Sequence, residues 1–201
     1  MRISIARGAL VAALLGFSPL LAQSTDPSSA AVAALDDGLI AIMKAGKASG
    51  VTGRAASIGP VIDRSFDLPL MTRLTVGPAW NTIPAADQTA LVAAFRRMTI
   101  AQYAANFDSY GGETFTIAPK VEERAGDRMV RTTLRPAKGE PIAISYRMRQ
   151  SAGSWKIIDV YYKNAISQVA TRRSDYAAVL ASGGSKALIA HLNRLAASPT
   201  S

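Results

Sequence analysis

The chain contains no cysteine and only one histidine, His191. The absence of cysteine excludes thiol catalysis, cysteine-ligated zinc and disulfide bonds, and a single imidazole is too little for a histidine-based metal site. No serine stands in a G-x-S-x-G sequence, and neither glycine pair, at 111–112 or 183–184, opens a helix directly after a strand as a phosphate-binding loop does. The sequence therefore indicates no catalytic residue, no metal site and no cofactor.

Long apolar runs are also scarce, since only the first part of the chain contains one. Arg2 and Arg7 give that part a positive start, residues 9–17 form a short apolar run, and a small residue follows at the expected cleavage point. This layout is typical of a secretory signal peptide, and the run is too short to span a bilayer. We expect residues 1–22 to be removed and residues 23–201 to form a single domain, soluble in the periplasm.

Acidic residues are few, with 14 Asp and Glu against 23 Lys and Arg. The formal net charge of +9 falls only to +7 when Arg2 and Arg7 are removed with the signal peptide. Such a charge suits nucleic acid, an anionic lipid surface or an acidic protein face as a partner. Export argues against nucleic acid, and the scattered arginines do not interleave with aromatic residues as in common nucleic-acid-binding motifs. We expect no nucleic-acid partner.

The stretch from Phe66 to Tyr110 predicts two helices around which the rest of the chain is organised. Asp67 can cap a short helix that ends at Gly77, and a long helix begins at Pro84. Apolar side chains recur on one broad face of the long helix, which indicates that this face lies on a large apolar surface. Other helices are predicted at Ala30–Ala48, Val51–Ile58, Val61–Phe66 and Asn164–Leu180, and after a cap at Ser185.

Between these helical regions the apolar period falls towards two, which is typical of strands. Apolar residues alternate with arginine, serine and threonine, so one sheet face is apolar and the other is solvated over much of its length. The predicted strands are Thr114–Ile117, Arg128–Arg135, Pro141–Gln150 and Trp155–Tyr162. The order of helices, strands and helices predicts an α+β domain, with a helical layer packed on an antiparallel sheet of about four strands.

Three aspartates, Asp63, Asp67 and Asp159, stand near apolar neighbours. A solvent-shielded aspartate can act as a general base when burial raises its pKa. We interpret Asp67 as a helix cap and Asp159 as the partner of a basic residue. A small enzyme that uses a shielded aspartate in a pocket is kept as an alternative hypothesis.

Two arginines lie among apolar positions of the predicted helices. Arg173 falls in the middle of an apolar stripe, and Arg96 falls by helical angle between two aromatic residues. An unpaired charge in an apolar setting is costly, so each arginine must pair, extend to solvent or meet an anionic ligand. One interpretation is a salt bridge, for Arg173 with Asp159 or Asp63. The other is contact with a lipid phosphate at the mouth of a cavity.

Three segments resemble the MlaC family, the periplasmic phospholipid-binding components of ABC lipid-transport systems. They are FDLPLMTRLTVGPAW at 66–80, FRRMTIAQYAANFDSYGGE at 95–113, and the ending from Trp155 to Leu195. The pattern W-x-x-x-D-V, the following helix, R-S-x-Y and GG-x-x-x-LI carry the resemblance in the last segment. The amino-acid sequences of the first and last segments are most similar to the hopanoid-associated branch, HpnM.

The resemblance implies a helical layer over a curved antiparallel sheet that encloses an apolar pocket for lipid acyl chains. It also implies a partner in each membrane, an inner-membrane ABC lipid-transport complex and an outer-membrane lipoprotein, with a phospholipid or hopanoid-type lipid as cargo and no catalysis. A non-carrier adaptor of the same machinery is the alternative. The residues that can line the pocket or meet the head group are Leu70, Leu74, Phe95, Tyr103, Val130, Leu134, Ile144, Tyr146, Met148, Arg96 and Arg173. The same side chains would equally form a filled core.

Overall fold

The computed structural model describes residues 26–199 and has an α+β fold. The predicted signal peptide, residues 1–22, lies outside the described residues. The helices are α1 (Pro27–Ala45), α2 (Gly50–Ser65), α3 (Leu68–Val76), α4 (Ala85–Asn106) and α5 (Gln168–Ala197), with short 3-10 helices at Lys47–Ser49 and Gly77–Thr82. No helix within residues 26–199 is both long and apolar enough to cross a bilayer.

Local signals explain where the central helices begin and end. The Asp67 carboxylate accepts a hydrogen bond from the Leu70 amide at 3.0 Å, which confirms the predicted cap of α3. Gly77 ends α3 with a positive φ of 71°, a conformation that glycine adopts without steric cost. Helix α4 begins at Ala85, one residue later than the predicted start at Pro84, which instead occupies the cap position.

The segments after α1 and after the sheet differ from their predictions. Residues 50–65 form one helix that includes Pro60, where two shorter helices were expected. Ser167 caps α5 by accepting a hydrogen bond from the Ala170 amide, so this helix begins at Gln168 and not directly after Asn164 as predicted. The helix then continues to Ala197 through a kink at Gly184, and the Ser185 hydroxyl donates to Asp87 at 2.6 Å where a cap was predicted.

The sheet has six strands, two more than the sequence predicts. They are β1 (Thr114–Ile117), β2 (Glu122–Arg124), β3 (Asp127–Arg135), β4 (Ile142–Ser151), β5 (Ser154–Tyr162) and β6 (Ile166–Ser167). The order is β1-β3-β4-β5-β6, with β2 also on β3, and all these pairs are antiparallel. The two additional strands, β2 and β6, are only three and two residues long, too short to produce a visible alternation.

The core lies between the sheet and the helices. Leu91, Phe95 and Met98 on α4 are fully buried, as are Val130 and Met148 on the sheet. Each such side chain contributes about 1.5–3 kcal/mol relative to an exposed one. The register of β4 and β5 shifts between residues 147 and 148. An irregularity of this kind bends the strand that carries it, which helps the sheet to curve around the helical layer.

Candidate functional site

A cavity of about 530 Å³ lies between the helical layer and the sheet. Helices α1, α3, α4 and α5 and strands β3, β4 and β5 all contribute to its wall, together with Phe66 from the link between α2 and α3. The lining residues are Leu39, Phe66, Met71, Thr99, Gln102, Tyr103, Asn106, Phe107, Leu134, Ile142, Ile144, Tyr146, Val160, Tyr162, Gln168 and Arg172. The volume falls within the range of about 300–1,000 Å³ that is usual for small-molecule sites.

The cavity has a closed inner end and an outer end that reaches solvent. Thr99 and Asn106 both line it and are separated on α4 by two helical turns, about 10 Å. Thr99 is 2% exposed, whereas Asn106 is exposed and Tyr162 at the end of β5 is 40% exposed. The outer end therefore lies where α4 and β5 finish and α5 begins.

The sheet side of the wall is built from cross-strand pairs. Leu134 pairs with Ile142, Ile144 with Tyr162, and Tyr146 with Val160, and all six line the cavity. Directly opposite residues of neighbouring strands have their side chains on the same face of the sheet. One face of β3, β4 and β5 thus forms an apolar wall that becomes more polar only at the tyrosine hydroxyls.

Aromatic rings form the facing wall. The Tyr103 ring is stacked on that of Phe107 with centroids 5.9 Å apart, and it meets Phe66 edge to face at 5.7 Å. Phe66 is fixed in place because the Asp67 amide donates to the Ile157 carbonyl of β5 at 2.9 Å. These contacts hold three rings along one side of the cavity, where a hydrocarbon chain can lie against them.

Four of the eleven residues predicted from the sequence line this cavity: Tyr103, Leu134, Ile144 and Tyr146. Three others, Phe95, Val130 and Met148, are fully buried in the packed core and do not reach it. The last four also lie outside its wall: Leu70 and Leu74 are half-buried on α3, and Arg96 and Arg173 are exposed. Which of these residues contact a guest stays a prediction.

The two predicted arginines have protein partners at the surface. Arg96 makes two hydrogen bonds of 2.6 Å to the Asp63 carboxylate, and this guanidinium holds the pKa of that carboxyl below its usual range. Arg173 donates to the Leu74 carbonyl at 2.7 Å and 2.9 Å. The predicted pairing of Arg173 with Asp159 or Asp63 is wrong, because Asp63 is taken by Arg96 and Asp159 by the start of α5.

The Asp159 carboxylate bonds to backbone amides and a serine hydroxyl. The prediction that it pairs with a basic residue is therefore wrong. The carboxylate accepts hydrogen bonds from the Ser167 hydroxyl at 2.6 Å, the Val169 amide at 3.1 Å and the Val160 amide at 2.8 Å. These bonds join the end of the sheet to the first turn of α5. Both carboxyl oxygens are thereby occupied, so the geometry does not favour Asp159 as a general base.

Asp159→Ala is expected to lower the free energy of unfolding by about 2 kcal/mol, because it leaves buried donors at the start of α5 without their acceptor. Urea denaturation followed by circular dichroism measures this change. Asp175→Ala is the control, since this aspartate of α5 is exposed. An unchanged midpoint for Asp159→Ala would show that water replaces the carboxylate at no cost.

Arg172 is the charged residue among the cavity-lining residues that sequence reasoning missed. The inward face of α5 carries Val169, Arg172 and Tyr176, whereas the predicted stripe contained Val169 but continued through Ala170 and Arg173. The Arg172 Nη2 donates to Gln102 Oε1 at 2.8 Å, and its guanidinium carbon lies 5.3 Å from the centre of the Phe95 ring. The i, i+3, i+7 spacing of these three residues is the signal that could have identified it.

Arg172 is also the only charged side chain in the cavity wall within the described residues. No carboxylate of residues 26–199 lies within salt-bridge distance of it. A half-buried guanidinium that shares one hydrogen bond with a neutral amide keeps other donors free, and its planar fork matches a phosphate or carboxylate. The wall can therefore hold an anionic group beside an apolar one.

The inner end of the cavity contains polar groups that burial perturbs. Burial raises the pKa of Tyr103 to about 12 and that of Tyr146 well above its usual value. On α1, Asp36 is 5% exposed, and burial together with the neighbouring Asp37 charge raises the pKa of Asp36 to about 7. A carboxyl group in this position titrates near neutral pH.

An apolar cavity between a helical layer and an antiparallel sheet, with a cation in its wall, has the geometry of a binding site for an amphiphile. A scan against family models matches residues 33–194 to the MlaC protein family. The chain belongs to the MlaC family, which confirms the resemblance seen in the sequence.

A solved structure shares the fold. It is the phospholipid-binding protein from Ralstonia solanacearum in complex with a phospholipid. The two chains superpose with a TM-score of 0.74 at 22% sequence identity, over 86% of this chain and 97% of the other. The agreement over nearly the whole length of the other chain confirms the predicted arrangement of helices over an antiparallel sheet.

Proposed function

We propose that this protein is a periplasmic lipid carrier that binds one lipid molecule in the cavity between its helices and its sheet. In this proposal the cargo is a phospholipid or a hopanoid-like lipid, which moves between an inner-membrane ABC complex and an outer-membrane lipoprotein partner. Residues 1–22 would direct export and residues 23–201 would form the carrier domain. The single observation that carries the proposal is the cavity of about 530 Å³ with largely apolar walls, which reaches solvent at its outer end.

The physical basis is the burial of hydrocarbon. Each CH₂ group moved from water into an apolar wall contributes about 0.8 kcal/mol, so ten buried methylene groups contribute about 8 kcal/mol. The cavity walls present leucine, isoleucine and aromatic side chains to such a chain. The bound phospholipid in the Ralstonia solanacearum protein, which shares this fold, supports the same use of the space.

A carrier of this kind needs no catalytic group. The aspartates that favoured the enzyme hypothesis have structural roles, since Asp67 caps α3, Asp63 pairs with Arg96 and Asp159 accepts three hydrogen bonds. These roles favour the carrier over the small pocket enzyme. The basic surface of the protein favours contact with anionic head groups or acidic docking faces of its partners.

Transfer between vesicles tests the proposal. Purified mature protein is mixed with donor vesicles that contain labelled phosphatidylglycerol and with unlabelled acceptor vesicles, and transfer is measured with and without the protein. The carrier hypothesis predicts faster transfer in proportion to protein concentration. No acceleration, together with no lipid in an organic extract of the protein, would falsify it and leave the adaptor.

Arg172→Gln is expected to weaken the binding of phosphatidylglycerol about tenfold, because it removes a charge-assisted hydrogen bond to the phosphate. Displacement of a fluorescent lipid from the purified variant gives the change in Kd. Arg173→Gln provides a matched control on the next residue, whose side chain is exposed and lies outside the cavity wall. Equal losses in both variants would mean that net charge, and not the cavity position, determines the affinity.

A further inference from the structure

Two buried side chains lack any hydrogen-bond partner. Within residues 26–199, the buried side-chain atoms without a partner are both carboxyl oxygens of Asp36 and Oγ1 of Thr99. Asp36 is 5% exposed and Thr99 is 2% exposed. Buried polar atoms are almost always paired, because leaving one unsatisfied is costly, so each such group needs an explanation.

One of the two side chains lines the inner end of the cavity, and the other lies one helical turn from a residue of its wall. Thr99 is part of the wall, and Asp36 lies one helical turn before Leu39, which is also part of the wall. Thr99, Tyr103 and Tyr146 line the cavity, and the Asp36 charge contributes, after burial, to the raised pKa of both tyrosines. An unpaired hydroxyl therefore lies in the cavity wall, and an unpaired carboxyl lies one helical turn from Leu39 of the same wall.

We propose that Asp36 and Thr99 form a hydroxyl-binding subsite at the inner end of the cavity, and that the preferred cargo is a lipid with a hydroxyl group on its hydrocarbon part. This inference rests on the proposed lipid-binding function and names the class of lipid. A plain acyl chain leaves both side chains unsatisfied when it fills the cavity. A chain hydroxyl can donate to Asp36 and bond to Thr99, while the rest of the chain stays against the apolar wall.

The Asp36 carboxyl favours an uncharged ligand group at the inner end of the cavity. An anionic group would meet the Asp36 carboxylate, and the cation of the wall, Arg172, bonds to Gln102, which lies one helical turn closer to the outer end than Thr99. A hydroxyl can donate to an ionised carboxylate and can also accept from a protonated one. It therefore suits Asp36 in either protonation state. The anionic head group is left to Arg172 and to the outer end.

The test uses phosphatidylglycerols that differ at one carbon of one chain. Delipidated mature protein is titrated with the stearoyl lipid and with its 2-, 10- and 12-hydroxystearoyl counterparts, which compete with a fluorescent lipid. At least one of the 10- and 12-hydroxy lipids is expected to bind about tenfold more tightly than the stearoyl lipid. The 2-hydroxy lipid is expected to match the stearoyl lipid, because its hydroxyl stays near the head group.

Variants locate the subsite through the ratio of affinities for the hydroxy and the plain lipid. Thr99→Val and Asp36→Leu should each bring this ratio close to one. Thr75→Val should keep the wild-type ratio, because Thr75 is a fully buried threonine outside the cavity wall whose hydroxyl donates to the Thr72 carbonyl.

Equal affinities of the wild-type protein for all four lipids would overturn the inference. That result is expected if a water molecule that no lipid displaces occupies the subsite. A preference that persists in both variants would also overturn it. Binding of none of the lipids would contradict the proposed function instead. The four affinities of the wild-type protein remain decisive even if a variant does not fold.

Discussion

Ile144→Trp is expected to abolish the uptake of phospholipid from vesicles while the protein stays folded. Ile144 lies on β4 in the middle of the sheet wall, opposite Tyr162, and its side chain faces the cavity. An indole at this position fills space that a lipid chain would occupy. Excluding four or more methylene groups removes about 3 kcal/mol of binding free energy, which corresponds to a loss of more than about 100-fold in affinity.

Ala143→Trp is the matched control for this variant. Ala143 is the preceding residue of β4, so its side chain lies on the opposite face of the sheet and outside the cavity wall. The control adds the same side chain without closing the cavity, and uptake should persist. Uptake by Ile144→Trp at the wild-type level would place the lipid elsewhere. Full complementation of a deletion strain by Ile144→Trp would support the adaptor hypothesis.

Asp36→Asn is expected to change the free energy of unfolding more favourably at pH 8 than at pH 4, by about 4 kcal/mol. Asp36 is buried on α1 without a hydrogen-bond partner, and its pKa is raised from 3.8 to about 7. Above pH 7 the folded protein therefore carries an unpaired buried charge, which asparagine removes. Chemical denaturation of both proteins between pH 4 and pH 8 measures the difference.

The sign of this pH dependence follows from the protons that Asp36 binds in the folded and unfolded states. The unfolded state releases the Asp36 proton near pH 3.8, whereas the folded state keeps it up to about pH 7. Between these values the unfolded state binds fewer protons, so this group lowers stability as the pH rises, and its contribution is constant above that window. The carboxyls with lowered pKa, such as Asp63 and Asp127, contribute equally to wild type and variant and cancel.

Asp37→Asn is the control, because Asp37 is the adjacent residue and is exposed. It should change the pH dependence only slightly, through its repulsion of the Asp36 charge. A difference between wild type and Asp36→Asn that does not vary with pH would contradict the burial of an unpaired carboxyl. In that case Asp36 has a partner that compensates its charge.

The strands could be predicted well because alternation reports directly on the faces of a sheet. Leu134, Ile144 and Tyr146 were predicted to face inward and do line the cavity. Val130 and Met148 share this alternation, yet they lie in the packed core. Periodicity gives the face of a residue but not whether the space in front of it is filled, since that depends on helices far away in the sequence.

The rotational phase of α5 was the second limit on predicting the cavity residues from the sequence. The predicted stripe on this helix began at Ile166, which belongs to β6, and it included Arg173 in place of Arg172. An error of one residue rotates a helix position by about 100°, enough to exchange a cavity residue for an exposed one. The cap at Ser167 sets the true phase, and its bond to Asp159 is a tertiary contact.

Asp36 gave no signal in the sequence, because it stands beside Asp37 and the pair resembles the polar side of an amphipathic helix. Its burial results from the packing of α1 against α2 and the sheet. Arg172 in the cavity wall and the buried Asp36 were therefore found only once the elements were assembled. The apolar walls and the family were accessible from the sequence.

Native mass spectrometry of the purified mature protein tests the central claim most directly, which is that the cavity holds a lipid. The wild-type protein is expected to give a species heavier than the bare chain by the mass of one lipid molecule. The same species is expected for Ala143→Trp and should be missing for Ile144→Trp. A wild-type protein found only at the mass of the bare chain, even after incubation with vesicles, would contradict this claim.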